Sequence, residues 1–163
     1  MRNLVPGGTL AALSLLVGMG ATPALASAKY VYKGLDYTYM YPSTGCLKTT
    51  MHQSMSIVLA APLAANLSQQ TVNAVSWVIG DGLHSFKDTA KKAVVPLQAQ
   101  FTTDGTGKIT GWSINSYYYF SNKIDIEYTT HSNSGGDYSA DYNCTVGTAE
   151  IGSNFKTGTW KKK

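Results

Sequence analysis

The sequence contains little that could form a recognisable catalytic or metal site. Charged residues make up 13% of its 163 residues, and it has two cysteines and three histidines. There is no Cys-x-x-Cys pair, and His52, His84 and His131 are too dispersed to indicate a metal triad. No Gly-x-Ser-x-Gly motif marks a nucleophile turn. We therefore expect no metal ion, no cofactor and no catalytic residues that sequence alone can identify.

Long hydrophobic runs are also absent, apart from a short one near the N-terminus. It extends from Leu10 to Val17, follows Arg2, and precedes Pro23 and the small-residue segment Ala24-Leu25-Ala26-Ser27-Ala28. This order is typical of a secretory signal peptide. The run is shorter than the roughly 20 apolar residues that span a bilayer. Cleavage after Ala26 or Ala28 fits the small-residue rule, and we take residues 1–28 as the signal peptide of a secreted or periplasmic protein without a membrane span.

Charge of either sign is sparse in the remaining chain. Removal of 28 from 163 residues leaves 135, which is one domain by length, and Arg2 is the only one of the 13 basic residues that is not a lysine. Against 9 acidic residues, the excess of three equals Lys161, Lys162 and Lys163. Nucleic-acid proteins need cations spread along one face, so we expect no nucleic-acid partner. The three lysines are interpreted as a short, solvated basic tail, with an anionic lipid or acidic polysaccharide as the alternative contact.

The two cysteines lie near opposite ends of the mature chain. In an oxidising compartment, Cys46 and Cys144 are expected to form a disulfide. The chain-entropy model assigns about 4.7 kcal/mol to closing a loop of roughly a hundred residues.

Short alternating segments, separated by Gly, Pro, Asn and Asp, predict an all-β chain. Met51 to Leu59 alternates clearly, Gly80-Asp81-Gly82 and residues 104–107 have the composition of hairpin turns, and Asp88 to Lys92 is the one plausible helical turn. The same pattern predicts two further inward-facing sets, Val75 with Trp77 and Ile79, and Tyr138 with Ala140, Tyr142 and Cys144. We predict a single antiparallel β-sandwich of seven or eight short strands over residues 29–163, with a small closed β-barrel as the alternative.

Three segments, residues 56–68, 75–82 and 101–112, carry a resemblance to a known group. Their sequences are SIVLAAPLAANLS, VSWVIGDG and FTTDGTGKITGW. Over roughly residues 30–115 the chain resembles the strand-rich ectodomains of secreted bacterial proteins of the PEP-CTERM type. The resemblance implies an exported β domain without transferable catalytic residues. Residues 158–163 do not match a sorting tail, so it implies no surface attachment.

Tyrosine is the most abundant aromatic residue type, with 11 residues. Tyr37, Tyr39 and Tyr41 alternate along one segment, and Tyr117, Tyr118 and Tyr119 form a block. Aromatic rings on a flat sheet can stack on sugar rings while phenol hydroxyls bond to sugar oxygens. Cross-strand packing is the alternative role.

Acidic pairs suggest two weaker possibilities. Asp125 and Glu127 share a strand face, although the two carboxylates of a glycosidase normally come from separate parts of a cleft. Asp137 and Asp141 lie near Gly135-Gly136 and could ligate calcium, although an oxygen cage needs more carboxylates at closer spacing.

These observations predict an exported, non-catalytic β-sandwich that binds carbohydrate at the bacterial surface, in a matrix or in the periplasm. Two alternatives stay open. One is a small secreted hydrolase whose site is gathered by folding, and the other is a barrel enclosing a small apolar ligand.

Overall fold

The computed structural model describes residues 26–43, 45–88, 97–120, 123–132, 136–145 and 148–163, with side chains described except at 118–126, 128 and 140–149. The predicted signal peptide up to residue 25 and the predicted helical turn after Asp88 lie outside this part of the chain. So do the side chains of Ile124, Asp125, Ile126, Asp141 and Cys144.

The described residues form twelve strands, more than the seven or eight predicted. The strands are β1 (Ala28–Lys33), β2 (Tyr39–Tyr41), β3 (Ser54–Leu59), β4 (Gln70–Val72), β5 (Ala74–Gly80), β6 (Ser85–Lys87), β7 (Gln98–Thr103), β8 (Ile109–Phe120), β9 (Lys123–His131), β10 (Gly136–Thr145), β11 (Thr148–Asn154) and β12 (Thr159–Lys162). They pair as a five-stranded sheet, β12-β1-β3-β5-β6, and a seven-stranded sheet, β2-β11-β10-β9-β8-β7-β4. All pairs are antiparallel, and the two sheets do not close into a barrel. The predicted sandwich is confirmed.

Apolar side chains fill one part of the space between the sheets. Residues of the five-stranded sheet meet residues of β7 and β8 there, and the buried ones include Tyr30, Tyr32, Met55, Ile57, Leu59, Trp77, Ile79, Ala99, Phe101 and Ile114. Aromatic contacts cross between the sheets: the ring centroids of Phe101 and Trp160 are 5.3 Å apart, and those of Tyr32 and Trp112 are 5.6 Å apart. Burial of this apolar surface is the main term that holds the sheets together.

The predicted alternation of inward and outward residues in β3 and β7 is confirmed. For Val75 and Tyr138, the prediction that the side chain faces the core is wrong. Val75 is 62% exposed, because the register shifts between Val58 and Leu59 and the chain bulges at this point of β5. In β10 the buried side chains are Asp137 and Ser139, whereas Tyr138 is half-buried on the opposite face. Polar groups occupy the inner phase of this strand because they find hydrogen-bond partners across the interior.

The C-terminal lysines differ from the predicted solvated tail. Residues 159–162 form β12, which pairs with β1 in the register Tyr32 to Trp160 and Tyr30 to Lys162. The N–H of Lys163 continues this ladder to the carbonyl of Lys29 at 2.9 Å. Trp160 packs on the core, and its burial holds the following lysines in a strand.

Candidate functional site

The outer face of the seven-stranded sheet lines up tyrosines from three strands. Tyr39 of β2 is opposite Ser153 of β11, and Ser153 is opposite Tyr138 of β10. The same row continues from Tyr138 through Thr129 to Asn115 of β8. Directly opposite residues of an antiparallel ladder lie on the same face. Tyr41 lies two residues beyond Tyr39, and Tyr117 lies two residues beyond Asn115. Because side chains two residues apart on a strand share a face, both tyrosines also lie on the outer face.

We refer to Tyr39, Tyr41, Tyr138 and Tyr117 as the tyrosine face. Tyr39 and Tyr41 are 48% and 62% exposed, and Tyr138 and Tyr117 are half-buried. The three strands that carry them are separated by one intervening strand each, which places Tyr39 about 10 Å from Tyr138 in the same row and Tyr117, offset by two residues, about 12 Å from Tyr138. This is close to the length of a disaccharide. Ser153 between Tyr39 and Tyr138 is only 6% exposed, whereas Thr129 and Asn115 are half-buried, and their hydroxyl and amide groups can bond to sugar hydroxyls.

The structure changes the membership of the predicted tyrosine set. Tyr37 is only 1% exposed, so it cannot share a surface with Tyr39 and Tyr41. Tyr118 and Tyr119 have side chains outside the described part. Tyr138 was predicted to face the core, and no feature of the local sequence indicates its outward orientation.

Tyr37 has a structural role in the segment between β1 and β2. Its backbone N–H donates to the carbonyl of Met51 at 2.9 Å. Its ring lies so close to Gly152 of β11 that a Cβ at that glycine would approach Tyr37 Cδ2 to 2.9 Å. Burial and the carboxylate of Asp81 raise the pKa of the Tyr37 hydroxyl, which stays protonated. The departure of Tyr37 from the strand phase follows from its position before β2 begins at Tyr39.

The interior beneath β9 and β10 is polar, and its centre is the carboxylate of Asp137. Asp137 Oδ1 accepts hydrogen bonds from the hydroxyls of Tyr32 at 2.6 Å and Thr130 at 2.7 Å. The Tyr32 hydroxyl accepts one from the Gly158 N–H at 2.7 Å, and the Thr130 hydroxyl accepts one from Trp112 Nε1 at 3.0 Å. This network joins the two sheets through residues as far apart in sequence as Tyr32 and Asp137.

Burial sets the protonation of this network. Desolvation raises the pKa of Asp137 above its usual range, and the bonds from Tyr32 and Thr130 oppose that rise. Burial, reinforced by the bond to Asp137, also raises the pKa of Tyr32 well above that of free tyrosine. A Cβ at Gly34 would clash with Asp137 Oδ2, so a glycine is needed where the chain passes this carboxylate.

Two further buried carboxylates hold loops. Asp81 Oδ1 accepts the N–H groups of Leu83 at 2.8 Å and His84 at 2.6 Å, which closes the predicted β5–β6 hairpin. Glu150 Oε2 accepts the N–H of Cys46 at 2.9 Å. Asp81, Asp137 and Glu150 are all 0% exposed, so a substrate in solvent cannot reach them. Their geometry is that of structural acceptors.

The other sequence candidates are spread over the molecule. His52 Nδ1 lies 3.0 Å from Asp36 Oδ1 near the surface, His84 is exposed and His131 is half-buried. Glu127 is half-buried beside Tyr117 on the outer face. Among the described residues, no three His, Cys, Asp or Glu side chains converge in a geometry that could hold a metal ion.

A cleft of about 220 Å³ opens at one end of the sandwich, lined by Tyr30, Leu63, Ile109, Trp160, Lys108 and Lys162. It is smaller than the roughly 300–1,000 Å³ of typical small-molecule sites. It is also open to solvent beside two lysines, so it differs from the enclosed apolar cavity that the barrel alternative requires.

Comparison with known proteins adds no relative. No family model matches the chain, and no match was found among the curated proteins or the solved structures. The resemblance to PEP-CTERM-type proteins stays a prediction. In the described part of the chain, no helix has the length and apolar character to cross a bilayer.

Proposed function

We propose that this protein is an exported, non-catalytic carbohydrate-binding module of a bacterial surface, matrix or periplasm. The observation that carries the proposal is the tyrosine face. Aromatic rings at two-strand intervals, with polar side chains between them, match a linear glycan laid across the strands. Ring stacking supplies affinity, and hydroxyl and amide groups supply orientation.

Export is part of the proposal and rests on the predicted signal peptide. Ala28 is the first residue of β1, is 3% exposed and pairs with Leu59. Cleavage after Ala28 would remove this buried residue, whereas cleavage after Ala26 keeps it. Of the two sites that the sequence allows, the fold favours Ala26, and N-terminal sequencing of the secreted protein distinguishes them.

The predicted disulfide belongs to the same exported protein. The bond from Cys46 N–H to Glu150 places Cys46 beside β11, and β11 pairs with β10, the strand that contains Cys144. This neighbourhood supports a Cys46–Cys144 bridge between the segment before β3 and the end of β10.

The experiment is a titration of the secreted protein with neutral oligosaccharides of six sugars, built from glucose, xylose or mannose, followed by calorimetry and intrinsic fluorescence. We expect at least one to bind. Each stacked ring contributes about 0.5–1.5 kcal/mol, so Tyr39→Ala combined with Tyr41→Ala should weaken binding by roughly tenfold or more.

The matched control is Val75→Ala, because Val75 is as exposed as Tyr41, 62% in both cases, but belongs to the other sheet. It should leave the affinity unchanged. Absence of binding to every oligosaccharide, or equal affinity of the double tyrosine variant and the native protein, would overturn the proposal.

A further inference from the structure

The outer face of the five-stranded sheet gathers lysines that are distant in sequence. Five exposed lysines lie on or directly beside it, and we refer to them as the lysine face: Lys29 and Lys33 of β1, Lys87 of β6, Lys161 of β12 and Lys163 directly after it. Their neighbours in the same strands, such as Tyr30 and Tyr32, point inward and are buried. Strand alternation therefore directs these lysines away from the core.

The strand register gives the layout of the lysine face. Lys161 is opposite Val31 of β1 at one edge, and Lys87 is opposite Val78 of β5 at the other. Four strand spacings separate these two lysines, or about 19 Å. Lys29 and Lys33 are about 13 Å apart along β1. Four of the five lysines therefore lie on or beside the adjacent strands β1 and β12, where Lys163 pairs with Lys29, and Lys87 stands alone at the other edge.

The area between the lysines contains serine and valine side chains and has no acidic strand residue. Ser54, Ser56 and Ser76 face outward there, next to Val31, Val58 and Val78. Among the described residues, the nearest acids along the chain are Asp81, Asp88 and Asp36, which lie beyond the strand ends. Asp81 is buried, and Asp36 is paired with His52. The positive charge of the face is therefore uncompensated within the sheet.

We infer that the lysine face is a second binding surface and that its ligand is an acidic polysaccharide bearing carboxylate groups. Ammonium groups repeated along β1 and β12 match carboxylates repeated along a chain, and the serine hydroxyls of the neighbouring strands can bond to sugar hydroxyls. The described face has no aromatic side chain for base stacking, and its valines are too small to anchor a protein in lipid. These features favour a polysaccharide over a nucleic acid or a membrane.

This inference does not depend on the tyrosine face, which lies on the outside of the other sheet. A protein with both surfaces could connect a neutral glycan to an acidic one. The two claims also fail separately, because tyrosine substitutions and lysine substitutions affect opposite sides of the sandwich.

The test measures binding of the secreted protein to polygalacturonate at low and high salt. The variant combines Lys29→Gln, Lys33→Gln and Lys161→Gln. A cation at an anionic surface contributes about fivefold in affinity, so three together give on the order of a hundredfold weaker binding. The matched control combines Lys48→Gln, Lys108→Gln and Lys156→Gln, which removes the same charge from exposed lysines outside the lysine face.

We expect salt-sensitive binding that the first variant loses, that the control keeps to within a few-fold, and that Tyr39→Ala with Tyr41→Ala does not change. Equal losses in both lysine variants would show an effect of net charge alone and overturn the assignment. So would tighter, Lys29-dependent binding to duplex DNA or to phosphatidylglycerol vesicles than to polygalacturonate. Circular dichroism of each variant verifies that the strands remain.

Discussion

Removal of the Tyr32 hydroxyl group should measurably lower the free energy of unfolding of the sandwich. The hydroxyl donates to Asp137 Oδ1 at 2.6 Å and accepts the N–H of Gly158 at 2.7 Å, and all three residues are buried. In Tyr32→Phe the Gly158 N–H loses this acceptor, and the carboxylate keeps the bond from Thr130 but loses one donor.

The cost can be worked out from these two losses. A buried donor without a partner costs about 1–3 kcal/mol, and a hydrogen bond to a charged group is worth a similar amount. Because the carboxylate retains one donor, we expect the free energy of unfolding to fall by about 3 kcal/mol. For a domain of this size, that corresponds to a melting temperature roughly 10 °C lower.

Urea unfolding followed by tryptophan fluorescence measures the change. The control is Tyr39→Phe, which removes the same hydroxyl from a residue that is 48% exposed. It should alter stability by less than about 0.5 kcal/mol. If Tyr32→Phe also stays within that margin, the network around Asp137 does not stabilise the fold and our reading of the polar interior is wrong.

Three other perturbations test the interior and the predicted bridge. Burial raises the pKa of Asp137 above its ordinary value of 3.8, so the folded state binds the carboxyl proton more tightly than the unfolded state does. The free energy of unfolding should therefore decline as pH rises from about 4 through the folded pKa. Urea midpoints measured across this pH range should decline less in Asp137→Asn than in the native protein. Gly152→Ala would bring a Cβ to 2.9 Å from Leu47 Cδ1 and should cost about 1–3 kcal/mol. Gly105→Ala, with no neighbour closer than 3.7 Å, should cost less than 1 kcal/mol, and equal losses in the two would refute the packing argument. If Cys46 and Cys144 form the predicted bridge, reduction should lower the melting temperature and expose two thiols to alkylation, whereas alkylation of the untreated protein would contradict the bridge.

The sequence predicts the sandwich well where a strand alternates between apolar residues inside and polar residues outside. Strand β3 is the clearest example, since its inner positions are apolar throughout, and β7 follows with Ala99 and Phe101 inside. Val75 shows the limit of this reasoning. The bulge that turns it outward depends on how β5 pairs with β3, and pairing is not visible in one strand. Strands β2, β4 and β6 have three residues each, too few to display a period.

The candidate site was harder to predict because its partners are distant along the chain. The alternation along β10 predicts that Tyr138 faces the core and that Asp137 faces outward. The structure has the reverse arrangement because Asp137 meets the hydroxyl of Tyr32, 105 residues away. Burial of a carboxylate is tolerated only when such donors are present. Sequence alternation contains no information about them.

The polar interior and the tyrosine face are two sides of the same strand. Asp137 and Ser139 hold β10 from within, through bonds to Tyr32, Thr130 and the carboxylate of Asp81. The side-chain amide of Gln53 also donates to the backbone carbonyl of Tyr138. These bonds restrain the backbone on which the central tyrosine of the row is mounted. A binding surface with a restrained backbone loses less conformational entropy when a ligand binds. If the tyrosine face binds a glycan as proposed, the buried carboxylates would contribute to the affinity without touching the glycan, by keeping the tyrosine spacing fixed.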